Sequence, residues 1–216
     1  MSEGAQRACG ALVTRYAEAD VPTELGWFRV VVYRQAGSPF EHVAIVTGDV
    51  AGGEDVLVRV HSECFTGEVL RSLKCDCRAQ LDLALQRVGE AGRGAVVYLR
   101  QEGRGIGLGN KIRAYALQHH GADTVDANTM LGFRPDERRY DVAAAILRDL
   151  GIRSVALMTN NPDKISALEA EGIAVRRRVG HAVEPSAYSR DYLVTKVVRM
   201  GHLIDGAKLG LVATRS

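Results

Sequence analysis

The chain has 216 residues, of which 46% are hydrophobic and 25% charged, and its formal net charge is +2. These values fit a soluble globular protein with one large domain or two small subdomains sharing a core. The near-zero charge excludes bulk electrostatic affinity for nucleic acid or membrane surfaces, and there is no run of about 18 uncharged apolar residues to span a bilayer.

Residues 1–22 are polar and alanine-rich and are expected to form a flexible extension ahead of the fold. Glu3 and Arg7 lie in this segment and no apolar stretch follows them, so it lacks the pattern of a signal peptide. The cytoplasm is the expected compartment. There, clustered cysteines bind metal more often than they pair as disulfides. Cys9 stands apart from the other three cysteines and reads as an ordinary free thiol.

Three strands are expected over Trp27–Arg34, His42–Gly48 and Val56–His61, which are rich in Val and Ile and separated by turn residues. A helix follows over Arg78–Ala91, with Leu81, Leu85 and Val88 on one face and Gly92 and Gly94 at its end. Gly94–Arg100 reads as a buried strand. The glycine-rich loop Gln101–Gly109 leads into a helix near Asn110–His120. A further helix is expected over Glu137–Leu150 and a strand over Arg153–Thr159. Asn161 caps a helix that opens on Pro162 and stops at Gly172. A strand near Ile173–Arg177, a helix near Arg190–Met200 and a tail over residues 205–216 complete the chain. Strands dominate the first part, and strand and helix alternate in the second. The expected class is α/β, with two subdomains containing mixed sheets and sharing one active-site cleft.

Cys64, Cys75 and Cys77 form a C-x10-C-x-C cluster. Three thiolates fit three corners of a zinc tetrahedron and leave the fourth open for water. Three buried apolar cysteines are the plainer alternative, but Cys75 and Cys77 flank Asp76 and follow Lys74, which is poor core sequence. A closed structural site would need a fourth ligand, for which His61 is the nearest candidate. In Arg100–Arg113 the glycines allow close backbone approach to a ligand, the helix start favours anions, and Arg104 adds a planar fork suited to phosphate. Asp136 and Arg138 sit where a helix is expected to begin, a common place for caps. Lys164 follows a strand-to-helix turn, where a solvated helix residue is the plain expectation.

Five strings occur in a set order: RVHSECFTGEVLRSLKCDC (59–77), RQEGRGIGLGNKIRAYALQ (100–118), LGFRPDERRY (131–140), LMTNNPDK (157–164) and YLVTKVVRMGHL (192–203). With them the chain resembles the GTP cyclohydrolase II family across about residues 22–204, and a catalytic domain over residues 23–204 is expected. The resemblance implies zinc on Cys64, Cys75 and Cys77. It implies that Arg59, Val60, His61, Ser62, Glu63, Gln80, Glu102, Gly103, Arg104, Thr124, Thr159 and Lys164 hold the nucleotide. Tyr115 is implied near the reacting ring, Asp136 as proton acceptor, and Arg138 as nucleophile or as charge stabiliser at the α-phosphate. The implied reaction opens the guanine ring of GTP and releases formate and pyrophosphate, the first step of riboflavin synthesis, with Mg²⁺ on the triphosphate. A homodimer is implied as well. The leader is too short for a fused synthase domain, so a single-function enzyme is expected. Arg176–Arg178 and the segment 181–191 depart from the family's usual run.

Overall fold

The computed structural model describes residues 12–119, 124–134, 136–183 and 190–203. Cys9 and the tail over 205–216 lie outside the described residues.

The Val-rich runs form strands because their alternating side chains have two faces to fill. The strands are β1 (Val13–Thr23), β2 (Gly26–Gln35), β3 (Glu41–Thr47), β4 (Val56–Ser62), β5 (Gly94–Leu99), β6 (Ser154–Met158) and β7 (Ala174–Val179). They join in one sheet of order β1-β2-β3-β5-β4-β6-β7. The pairs from β1 to β5 are antiparallel, and those from β5 to β7 are parallel. The expected two halves are therefore an antiparallel wing and a parallel wing of one continuous mixed sheet.

Helices cover both faces: α1 (Phe65–Glu68), α2 (Cys77–Ala91), α3 (Gly107–His119), α4 (Thr124–Met130), α5 (Asp141–Asp149), α6 (Pro162–Ala170) and α7 (Arg190–Met200). On β4, Val56, Val58 and Val60 join the larger apolar cluster with Val142, Ile146 and Leu147 of α5. Leu57 packs into the second cluster with Ala84 and Val88 of α2. Period-2 alternation therefore sends Arg59 and His61 to the α2 side. The strands flanking β4 are β5 and β6, and α2 and α5 lie on opposite faces. That reversal opens a crevice beyond the carboxyl end of β4, the usual ligand site of such sheets.

Two expectations need correction. Residues 13–22 are not a flexible leader, because they form most of β1, paired to β2 from Val13↔Gln35 to Thr23↔Gly26. Nearly all of β1 is exposed, so its sequence carries no apolar alternation to read. The helix expected from Glu137 starts at Asp141. Backbone groups of the preceding residues are engaged elsewhere: Glu137 N donates to Arg104 O at 2.9 Å, Arg138 N to Asp136 Oδ1 at 3.0 Å, and Arg139 N to Gln101 Oε1 at 3.1 Å. Gly105, at φ +94°, permits this approach, since a Cβ there would lie 2.9 Å from the Glu137 backbone. The cap of α6 is as expected, with the Asn161 side chain accepting from Asp163 N.

Candidate active site

Three elements carry the cysteines to one point. Cys64 leaves the end of β4, Cys75 lies in the loop after α1, and Cys77 is the first residue of α2. Their sulfurs all lie within 4.8 Å of one another, with Cys64 Sγ and Cys75 Sγ 3.6 Å apart. A tetrahedral ion with bonds of about 2.3 Å places its sulfurs about 3.8 Å apart, so the cluster fits a metal ion with little movement. Hydrogen bonds from Cys75 and Cys77, with the Lys111 ammonium nearby, hold the Cys64 thiol far below its usual range. The same bond to Cys64 helps push Cys75 up to about 11. A cation held by the three sulfurs would favour their deprotonated forms.

Gly67 makes room for the cluster. A Cβ at this position would lie 2.9 Å from Cys75 Sγ and 3.2 Å from Cys64 Sγ. Gly67→Ala should therefore fold yet weaken metal binding about tenfold or more, as measured by chelator competition. An unchanged metal affinity would show that the sulfurs need not hold this arrangement.

Neither ring nitrogen of His61 belongs to the group of converging ligand atoms. Its Nε2 lies 2.7 Å from Glu68 Oε1, and Tyr98 donates its hydroxyl to Glu68 Oε2 at 2.6 Å. Burial, which outweighs the Glu68 contact, lowers the His61 pKa and keeps the ring neutral.

Beside the cysteines lies a cationic floor. Arg59 donates to Met158 O at 2.8 Å and to Gln80 Oε1 at 2.6 Å, while its Nε is buried without a partner. Lys164 is 4% exposed and donates to Val60 O at 2.8 Å. It is therefore buried, not a solvated helix residue. Desolvation, with Arg59 and Arg138 nearby, pushes its pKa well below the usual lysine value. Arg138 grips both carboxylate oxygens of Asp136, with Nε 2.9 Å from Oδ1. Burial alone would raise Asp136, but the Arg138 guanidinium prevails and holds it below the ordinary carboxylate range.

The glycine-rich loop forms a 3-10 turn over Glu102–Gly105, in which Gly103 and Arg104 adopt left-handed backbone at φ 62°. Glu102 organises it. Its carboxylate accepts from Phe65 N at 2.6 Å, from Gly103 N at 2.6 Å and from Lys111 Nζ at 2.7 Å. Lys111 also reaches Cys64 Sγ at 3.1 Å. Tyr115, on α3, has its hydroxyl 3.4 Å from Thr66 Oγ1, and burial pushes its pKa up to about 12.

One cleft is lined by the three cysteines, Tyr115, Arg138 and most of the expected nucleotide contacts. The Val60 side chain is fully buried in the opposite-face cluster, and its carbonyl accepts from Lys164. Asp136 stands behind Arg138 and is not part of the lining. Thr124 begins α4, but its side chain lies outside the described residues.

The cleft also takes in residues that sequence reasoning passed over: Lys111, Asn128, Asn160, His181, Lys196 and His202. Asn160 binds the His181 backbone on both sides, with Nδ2 donating to His181 O at 2.8 Å and Oδ1 accepting from His181 N at 3.0 Å. Burial drives the His181 pKa down to about 3. Lys111, Lys196 and Asn160 all stand inside the quoted strings, which was the available signal. His181 stood in none.

A family model described as GTP cyclohydrolase II matches residues 14–180. GTP cyclohydrolase-2 of Actinobacillus succinogenes is 52% identical over 194 residues, covering 90% of this chain and 89% of that protein. Riboflavin biosynthesis protein RibBA of Phocaeicola vulgatus is 50% identical over 194 residues, covering 90% of this chain and 48% of that protein. RibBA of Bacillus subtilis is 52% identical over 194 residues, covering 89% of this chain and 49% of that protein. The chain thus spans about half the length of these RibBA relatives and most of the length of the GTP cyclohydrolase-2 relative. With the match running from β1 through the thiolate trio to the end of β7, the chain belongs to the GTP cyclohydrolase II family.

Proposed function

We propose that this protein opens the guanine ring of GTP, releases formate and pyrophosphate, and so supplies the first pyrimidine intermediate of riboflavin synthesis. The observation that carries this reading is a trio of converging thiols beside a cationic floor, both in one cleft. Cys64, Cys75 and Cys77 are the zinc ligands, and zinc held there supplies Lewis acidity and an activated water near neutral pH. Arg59, Arg104, Lys164 and Arg138 face the polyphosphate, which arrives with Mg²⁺. Because Asp136 clasps the Arg138 guanidinium through two bonds, Arg138 acts as a charge stabiliser and not as a nucleophile. We extend the reading to a cytoplasmic homodimer. No helix among the described residues is long and apolar enough to cross a membrane.

The test is incubation with GTP, Mg²⁺ and zinc, with mass analysis of the product and separate formate and pyrophosphate assays. Pyrophosphate without formate would overturn the stated product. Tyr115 sharpens the test. Its hydroxyl sits near Thr66 and the cysteine loop, where it can orient the formamide for the second hydrolysis. Tyr115→Phe should slow formate release about tenfold or more while pyrophosphate release changes less, leaving a product one formyl group heavier. Equal slowing of both would assign Tyr115 to packing alone.

A further inference from the structure

Asp76 lies between the metal-site cysteines Cys75 and Cys77, and it is 8% exposed. A carboxylate so placed needs a partner, because an unpaired buried charge is costly. That partner comes from the far end of the chain. Lys196 of α7, also 8% exposed, donates from Nζ to Asp76 Oδ1 at 2.9 Å. The other oxygen, Oδ2, accepts from Gln80 Nε2. Gln80 Oε1 in turn takes the Arg59 guanidinium at 2.6 Å, and Arg59 reaches Met158 O at 2.8 Å. One chain of polar contacts therefore runs from α7 through the cysteine loop to the floor of the cleft.

The segment carrying Lys196 is itself tied down. His202 N donates to Lys196 O at 3.0 Å, and Leu203 N donates to Asn160 O at 2.7 Å, next to Thr159 on the cleft wall. Lys196, His202 and Leu203 lie beyond residue 180, where the match to the family model ends.

We infer that α7 is a working wall of the site, and that Lys196 is a positioning residue which, through Asp76, sets both the cysteine loop and the Arg59 arm. The inference rests on the proposed metal-dependent reading of the cleft. Lys196 acts on the site through the Asp76 carboxylate, 2.9 Å from its Nζ. It fixes the carboxylate on which the Cys75–Cys77 turn and Gln80 both depend, as an outer-shell partner orients a metal ligand.

The test compares Lys196→Met, Lys196→Arg and the double variant Asp76→Asn/Lys196→Met in the full-length protein. The readouts are zinc affinity by chelator competition without nucleotide, and the affinity for a non-hydrolysable GTP analogue. Lys196→Met should weaken both by about 10–100-fold while thermal unfolding stays cooperative. Lys196→Arg, which keeps the charge, should restore most of the loss. If Lys196→Met does not fold, the double variant decides, since it removes both charges of the pair together. It should fold and still bind zinc and analogue weakly. Wild-type affinities in either folded variant would overturn the inference, and so would an arginine variant as impaired as the methionine one. Failure of the proposed chemistry shows separately: wild-type protein would then bind zinc and analogue, and lose both on Lys196→Met, without opening GTP. Should wild-type protein bind no zinc, the analogue affinity alone decides the role of Lys196.

Discussion

Cys75→Ser is expected to strip the metal and stop ring opening together. Cys75 is one of only three sulfurs that converge at the site among the described residues, so two thiolates would be left to hold the ion. Serine's hydroxyl stays protonated near neutral pH and is a harder, weaker donor to zinc. Losing one ligand of three from a site whose binding is of the order of 10–16 kcal/mol should cost about 3–5 kcal/mol, roughly a hundred- to several-thousand-fold loss of affinity. The fold should survive, because Cys75 is only partly buried and contributes to neither apolar cluster. Elemental analysis and a formate assay on the same preparation check the result. Full zinc occupancy in the variant, or formate release at the wild-type rate, would remove Cys75 from the ligand set.

Lys164→Met should make the protein more stable and worse at its task. The lysine is buried with the Val60 carbonyl for a partner and the Tyr140 ring 5.7 Å from its nitrogen, and burial together with Arg59 and Arg138 drives its pKa down. A folded pKa below the unfolded value means that the unfolded chain binds the proton more readily. Stability from this group is therefore present above the unfolded lysine pKa and is lost as pH falls through the folded one. Methionine has similar length and no charge, so it removes that penalty. Its advantage should be absent at strongly alkaline pH and grow towards acid, with Tm at neutral pH rising by about 2–4 °C for each kcal/mol regained. An arriving triphosphate compensates the same charge, so the variant should bind GTP about 10–100-fold more weakly. Calorimetry across pH and a nucleotide titration test the two halves. A lower Tm with unchanged GTP affinity would mean that Lys164 only fastens α6 to β4. Activity gained at the expense of stability is a common trade at functional sites.

What was legible in the sequence is what depends on neighbours along the chain. The strands β2 to β4 follow from Val-rich runs between turn residues, and β5 from its continuous apolar run. The start of α6 follows from Asn161 and Pro162, because a cap needs only the next two residues. The thiol cluster was readable because Cys64, Cys75 and Cys77 lie within fourteen positions, on a strand end and a helix start that a short loop must bring together. The tertiary structure decided everything that depends on distant partners. β1 carries almost no buried face, and only its pairing with β2 makes it a strand. Residues 136–140 stay out of the helix because Arg104 O and the Gln101 side chain compete for their backbone groups. Lys164 looked solvated by its place after a turn, yet the sheet buries it under β4. His61 stood near enough in sequence to serve as a metal ligand, but its nitrogens lie outside the converging group and Glu68 holds its Nε2. Lys196 and Asp76 meet across 120 residues. Propensity and spacing act over a few residues, whereas the placing of a buried charge is settled by whichever opposite charge the packed sheet and helices bring within reach.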